Sequence, residues 1–392
     1  MLYYLPTNLD LFKSLPFPKK SIEKDFFKYN YIISNLFIQR YSRKYYVESH
    51  IELNFAKLKK IIGEEDTKRI IQNLIHFKII ECDNLCVKGE KNYGYKLNNI
   101  YTEQHYILEN CEDKVSVRCD KYYKQEYNET ELNLFRDLQK LKHNIVLDYN
   151  FQGLSDQEKR YKQANNFHLE SFGNRNIRFK KDKYGRIHTP LTNLERGLKA
   201  NLSLNGKNIF EIDYACSQPR FIALEASKEF GMTSDIQNFL KLCEGEKSIK
   251  LDLYNYLMFK IGYNKSRDEF KKFILQNLYG KRFTSKKLEE IFLLEFPNIY
   301  KFILKQKENG HANFARNMQK VESDLVIQTV CKNLYEKYEG ISLCTIHDSV
   351  ICNEEYVKCV KFEMELAFEE IYNYKLFCDS SQLSFNFLYN NK

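Results

Sequence analysis

Apolar residues between positions 51 and 62 recur at helical spacing, and Gly63 follows where such a helix would close. Asp66 is placed to cap a second helix whose buried face would be Ile70, Ile71, Leu74 and Ile75. That leaves Lys68, Arg69, Gln72 and Asn73 on the outer face. A β-prone run at 78–82, a basic turn at 88–91 and a return run at 93–97 then predict a hairpin. From 105 to 180 the pattern is more polar and mostly helical. Ser155 and Glu158 have capping-box spacing and open a helix through Ala164. A basic stretch at 175–186 reads either as a segment tracking a phosphate backbone or as a solvated strand edge.

Three later segments carry more chemistry. In the first, a β-prone run from Ile209 delivers Asp213 at its end, and a helical pattern containing Gln218 and Arg220 follows. An Asp at a strand end is a natural oxygen ligand for a hard cation, although such an Asp more often caps a helix. In the second, Ser266 and Glu269 mark a helix start, and Gly280 marks its end. Arg267, Lys271, Leu275 and Tyr279 recur every four residues and make a slowly drifting stripe on that helix. Two cations one turn apart can grip a triphosphate, Arg as a fork and Lys as a point charge; the plainer reading is an ordinary charged surface helix. In the third, two short β-prone runs flank His347 and Asp348, which predicts a tight hairpin with a carboxylate at its tip. Only tertiary folding could bring Asp348 to Asp213.

Composition narrows the classes. The 392 residues are enough for two or three domains, and the net charge of +9 suits a polyanionic partner without requiring one. With 14 Gly and 6 Pro, long flexible linkers are not expected. No run of 18 apolar residues free of charge occurs, which excludes a membrane-spanning helix. The N-terminus lacks a basic stretch followed by an apolar run, so no secretory signal is expected. Eleven Cys, an odd number spread along the chain, read as free thiols in a reducing, cytoplasmic compartment. Cys82, Cys86, Cys111 and Cys119 are too irregularly spaced for a standard zinc knuckle, and Cys216 has no activating His near it in sequence. The 29 Tyr and 29 Phe, with no Trp, suit base stacking as well as core packing.

Two helices followed by a basic two-stranded wing look like a winged-helix unit, which would offer Lys68 and Arg69 to a DNA groove; a small helical domain with solvated charges is the bland alternative. The three chemistry-bearing segments, in this order, resemble motifs A, B and C of the DNA polymerase I family (family A), a set shared with phage-type single-subunit RNA polymerases. The first matches D-Y-S-Q-I-E-L-R at Asp213, Tyr214 and Arg220, with Gln218 at the glutamate position. The second matches R-x3-K-x3-F-x3-Y-G at Arg267, Lys271, Tyr279 and Gly280, with Leu275 in place of the aromatic. The third matches V-H-D-E at Ile346, His347 and Asp348, with Ser349 in place of Glu. Gly185 and Arg186, followed by 192–194, resemble the family's G-R and D-P-N-L stretch. Met318, Gln319 and Asp324 resemble its M-Q-G-T-A-A-D helix. The resemblance covers about residues 180–355.

The resemblance implies an α+β right-hand polymerase with an antiparallel palm sheet, helical fingers and a short thumb. The expected divisions are 1–104 for a small winged-helix-like DNA-binding domain and 105–180 for the thumb. They continue with 181–230 for the first palm part, 231–300 for the fingers and 301–392 for the second palm part. It also implies nucleotidyl transfer with two Mg²⁺ ions held by Asp213 and Asp348, and with Lys271 as a further catalytic group. Arg267, Lys271, Tyr279, Gln218, Tyr214 and Leu275 would meet the incoming deoxynucleoside triphosphate. Arg186, His347, Gln319 and Arg220 would meet the DNA primer-template. Gln218 nearly matches the bulk of the family's glutamate, so deoxynucleotide preference is expected, whereas Ser349 is the residue that the RNA enzymes carry. The first 110 residues are too few for a proofreading exonuclease. Such a compact enzyme would serve a phage, plasmid or other mobile element. The alternatives are a phage-type RNA polymerase or primase, and a non-catalytic DNA-binding replication initiator.

Overall fold

The computed structural model describes residues 3–42, 50–86, 92–101, 105–108, 113–148, 150, 152–172, 177–245, 252–375 and 378–382. The chain divides into two compact units.

The first unit comprises Met1–Glu126, Ile145–Arg178 and Asn193–Glu195. Its centre is a long helix, Lys19–Ser42, whose Ile32, Ile33 and Leu36 are buried with Leu58, Ile61, Ile62, Ile70 and Leu74 of two shorter helices. Those helices, Phe55–Ile62 and Glu64–His76, meet at Gly63. Its φ of 103° is a conformation that a side chain resists, so one glycine both ends the first helix and starts the second. The helix expected from position 51 begins only at Phe55, because the Asn54 side chain accepts from Lys57 N and caps it. Residues Ile51–Glu52 extend instead and pair with Gly94–Leu97, which also pairs with Ile80–Cys82. The result is a three-stranded antiparallel sheet with Gly94–Leu97 in the middle. The basic turn expected at 88–91 lies outside the described residues.

Asp66 caps nothing. It lies in the first turn of the Glu64–His76 helix and faces the long helix, where Lys28 Nζ sits 2.7 Å from both Asp66 and Asp25. Arg69 joins this cluster at 2.7 Å from Asp25 and also pairs with Asp66. Asn73 donates to the Tyr29 hydroxyl at 2.6 Å. Of the four residues expected to point outward, Lys68, Arg69 and Gln72 are exposed, yet Arg69 and the half-buried Asn73 reach Asp25 and Tyr29 of the long helix.

The second unit comprises Tyr127–Asn144, Phe179–Thr192 and Arg196–Lys392. A six-stranded sheet runs through it in the order Cys344–Ile346, Ser349–Asn353, Lys207–Asp213, Leu202–Leu204, Leu141–His143, and Asp379–Gln382 also pairs with Lys207–Asp213. Every pairing is antiparallel. The helix Val357–Tyr372 buries Val360, Met364, Ala367 and Phe368 in the same core as Ile212 and Val350 of the sheet. Five helices, Ser234–Glu244, Leu253–Ile261, Arg267–Tyr279, Lys286–Glu295 and Pro297–Glu308, follow the first half of the sheet. A long helical stretch then runs from His311 to Lys337, and its middle, Asp324–Cys331, is wound as a π-helix.

Residues 105–180 do not form one helical group. The helix Glu129–Leu138 and the strand Leu141–His143 belong to the sheet unit, because Leu141 pairs with Leu204 and Asp137 is buried there. Asp137 accepts from Tyr335 Oη at 2.7 Å and from the backbone N of Leu343 at 2.8 Å. The helix Asp156–Glu170, opened by the expected Ser155 and Glu158 capping box, belongs to the first unit.

Candidate active site

The centre strand explains the site's position. Ile209 and Ile212 are buried, so the strand Lys207–Asp213 is fastened in the sheet and brings the exposed Asp213 to its end. The register pairs Asp213 with Ser349 across the ladder. Asp348 immediately precedes Ser349, so two carboxylates far apart in sequence lie at adjacent strand ends. His347 and Asp348 form the two-residue turn between Cys344–Ile346 and Ser349–Asn353. His347 has a φ of 52°, unusual for a residue with a side chain, and the pairing on both sides holds it there. The Ser349 hydroxyl lies 2.8 Å from Glu211 Oε1 and 3.0 Å from the Ile346 carbonyl.

Negative charge is crowded at this edge. Burial raises the Asp348 carboxyl above the usual carboxylate range, against a lowering hydrogen bond from Ser217 and the nearby Arg186 charge; Glu211 raises it further. Glu322, on the helix His311–Ser323, is only 1 % exposed. Burial first, and the Asp348 charge second, push Glu322 up to about 7. Its Oε1 accepts from Arg186 Nη2 at 2.6 Å, and its Oε2 accepts from Gln218 Nε2. Gln218 Oε1 in turn accepts from the Tyr279 hydroxyl at 2.6 Å, at the end of the helix Arg267–Tyr279. Burial and the Glu322 charge raise the Tyr279 phenol.

Arg186 reaches Glu322 from a tight turn. Gly185, with a φ of 87°, lies against Ser323, where an added Cβ would sit 3.5 Å from the serine Cβ. Asp182 holds the turn by accepting from the backbone N of Tyr184 at 2.9 Å and of Arg186 at 3.1 Å, and it lies 3.0 Å from His188 Nε2. His347 is lowered to about 4, by burial first and then by the Arg186, His188 and Lys199 charges. Its imidazole is therefore neutral at physiological pH, and its Nδ1 has no hydrogen-bond partner among the described residues.

The helix Arg267–Tyr279 has the expected capping box at Ser266 and Glu269. Its end needs glycine for a concrete reason: a Cβ on Gly280 would collide with the Gln276 carbonyl oxygen. Arg267 lies 5.2 Å from the Tyr254 ring centre and Lys271 lies 5.6 Å from it, so both cations face one aromatic surface. Arg267 is ion-paired with Asp252, which also caps the helix Leu253–Ile261 through Asn255 N. Leu275 is half-buried on the same helix, and Gln319 is half-buried one turn before Glu322.

Two expected contact residues are interior. Arg220 is fully buried, with Nη2 donating to the Cys243 carbonyl at 3.0 Å, so its guanidinium does not reach a surface where DNA could lie. The helix Ser217–Phe230 turns that position into the core because Phe221, Ile222 and Leu224 pack around it. Tyr214 is 1 % exposed, its hydroxyl donates to the Met364 carbonyl at 2.9 Å, and its ring packs on Phe368. It supports the strand end from behind rather than bordering an open site. Lys68 and Arg69 belong to the first unit.

The sheet edge thus gathers Asp213, Asp348, Gln218, Arg186, His347 and Tyr279. Glu322 and Glu211 join them without having been singled out in the sequence. Glu322 stands three residues after Gln319, the spacing of one helix face, and that was the only available signal. Asp324, the acid that the sequence did mark, pairs instead with Lys320 at 2.6 Å on the surface. Among the described residues no group of three or more His, Cys, Asp or Glu side chains is arranged to hold a metal ion. Asp213 and Asp348 are a pair of oxygen donors, which suits a hard cation that completes its shell with water and phosphate oxygens.

No protein-family model matches the chain, and no curated protein does. Among solved structures it is similar to the POL domain of Pol1 from M. smegmatis in complex with DNA primer-template and dNTP, at 13% sequence identity and a TM-score of 0.43. The similarity covers 59% of this chain and 53% of that one, so the chain spans about half the length of the structure it matches.

Proposed function

We propose that this chain is a template-directed DNA polymerase that adds deoxynucleotides to a primer 3′-hydroxyl. The observation that carries the reading is the strand register that pairs Asp213 with Ser349 and so sets Asp213 beside Asp348. The sequence motifs around both residues, in their family order, are the second support. Burial first, and neighbouring carboxylates after it, raise the Asp348 and Glu322 carboxyls, and a cation bound at this edge would offset both. Asp213 and Asp348 are the residues that would hold Mg²⁺. Two such ions, when bound, activate the attacking hydroxyl and neutralise charge on the leaving pyrophosphate.

This chain's own groups do the rest. Lys271 and Arg267 supply positive charge to the triphosphate, Arg267 exchanging Asp252 for a phosphate. The Tyr254 ring beneath both cations limits how far they swing. Gln218 and Tyr279, locked to each other, border the sugar of the incoming nucleotide, with Leu275 further back on the same helix. The neutral His347, Arg186 and Gln319 contact the primer terminus or the template strand. In the first unit, the strand-helix-helix-strand-strand order with its three-stranded sheet suits a winged-helix DNA-binding domain, with Lys68 exposed on its second helix. On this reading the chain works in the cytoplasm and replicates a mobile element.

One residue favours a second reading. Ser349 follows His347 and Asp348, as in phage-type RNA polymerases, and its hydroxyl is engaged by Glu211 rather than left for substrate. Extension of a primed template with dNTPs or rNTPs, with and without Mg²⁺, separates the readings. Mg²⁺-dependent dNTP extension supports the DNA polymerase. Preferential rNTP use supports the RNA enzyme. DNA binding with neither activity leaves a non-catalytic replication initiator.

A further inference from the structure

We infer that Glu322 is a positioning residue that sets how the site grips the sugar of the incoming nucleotide, acting through Gln218 on Tyr279. The inference deepens the polymerase reading and rests on it. Its starting point is which atoms donate. Above the pH at which Glu322 loses its proton, about 7, its carboxylate only accepts hydrogen bonds, and the bonding that follows is that of this form. Both Glu322 oxygens are engaged, one by Arg186 Nη2 and the other by Gln218 Nε2. The Gln218 amide is therefore not free to flip. Its nitrogen must face Glu322, which leaves its oxygen to Tyr279. The Tyr279 hydroxyl is thereby made a donor, 2.6 Å from that oxygen.

Four segments are tied by this chain of bonds. They are the turn that carries Arg186, the helix His311–Ser323, the start of the helix Ser217–Phe230 and the last turn of the helix Arg267–Tyr279. The Tyr279 ring also packs on Phe314, one helical face along from Glu322, at 5.3 Å between centres. Glu322 itself is 1 % exposed, so a nucleotide at the sheet edge meets Gln218 and Tyr279 but not the acid behind them. Hydrogen bonds to a charged group in such an enclosed place are among the stronger ones, and networks of them hold one geometry. Without Glu322 the amide is free to present either end to Tyr279, and the last turn of the Arg267–Tyr279 helix loses its anchor.

The test uses the full chain on a primed template and measures single-nucleotide incorporation with dNTP and with the matching rNTP. In Glu322→Ala the KM for dNTP rises about tenfold and discrimination against rNTP falls about tenfold, while kcat changes much less. Glu322→Gln recovers part of the discrimination, because its carbonyl oxygen still accepts from Gln218. In a Gln218→Ala background, Glu322→Ala costs no further discrimination. Hydrogen exchange of amides in the last turn of the Arg267–Tyr279 helix rises in Glu322→Ala, a readout that needs no catalysis. If Glu322→Ala does not fold, the Glu322→Gln protein alone decides, by an intermediate fall in discrimination and by faster exchange in that turn. Unchanged discrimination and exchange in an active variant, or equal losses in both backgrounds, overturns the inference and leaves the polymerase reading standing. A wild-type protein that incorporates neither nucleotide overturns both.

Discussion

Replacing Asp348 by Asn should make the second unit more stable while abolishing activity. Glu322 is pushed from 4.5 to about 7, by burial and then by the Asp348 charge. That shift corresponds to about 3 kcal/mol in all; burial is its first cause and the Asp348 charge its second, and one pKa unit relieved by removing that charge would be about 1 kcal/mol. The sign follows from proton linkage. The folded chain keeps a proton on Glu322 that the unfolded chain releases between pH 4.5 and 7, so this contribution is complete below 4.5 and is lost as pH rises through 7. Asparagine removes one source of the shift and keeps the shape of the side chain, including an oxygen for the Ser217 hydrogen bond. Calorimetric melts at pH 5 and pH 8, with and without Mg²⁺, are the assay. Without metal at pH 8, Asp348→Asn should melt about 2–4 °C above wild type, and its loss of stability between pH 5 and pH 8 should be smaller. Mg²⁺ should raise the wild-type melting temperature at pH 8 and leave the variant unmoved. A variant that melts lower than wild type, or that still responds to Mg²⁺, refutes the reasoning.

Other outcomes follow from single contacts. Asp213→Asn should abolish primer extension with DNA binding nearly intact, and Lys271→Ala should chiefly weaken nucleotide use; both are read by single-turnover incorporation alongside a binding titration. Lys68→Ala should weaken DNA binding evenly across sequences and lower the salt slope by about 1. Arg69→Ala should instead lower the melting temperature, because it strips a partner from Asp25 and Asp66. Lys307, which donates to the Asn277 carbonyl and lies over the Phe283 ring, is lowered to about 8 by burial. The unfolded chain therefore holds more protons between pH 8 and 10.5, and stability rises with pH across that window. The melting temperature of wild type should gain on that of Lys307→Met from pH 7.5 to 10.5.

Much of the site was legible because its elements are local. Ser266 and Glu269 mark their helix, Gly280 marks its end, and the runs flanking His347 and Asp348 form the hairpin that their pattern suggests. What was not legible depends on distant partners. Glu322 reads as one more polar residue on an amphipathic helix, and its role appears only when Arg186 and Gln218 converge on it. Arg220 looks like a surface cation by residue type, yet the helix turns it into the core. Asp66 has the chemistry of a cap, but Lys28 and Arg69 claim it. The stretch 105–180 divides because three residues, Leu141–His143, pair with a strand sixty positions on, and so short a strand leaves almost no periodic trace.

The account stands on Asp213 and Asp348 acting as one divalent-cation site. Paramagnetic titration of Mn²⁺ into the protein with a chain-terminated primer-template and a dNTP tests it most directly. Wild type should bind two ions tightly, and Asp213→Asn and Asp348→Asn should each lose that binding. Tight binding that survives in both variants, or that depends on only one of the two residues, would contradict it.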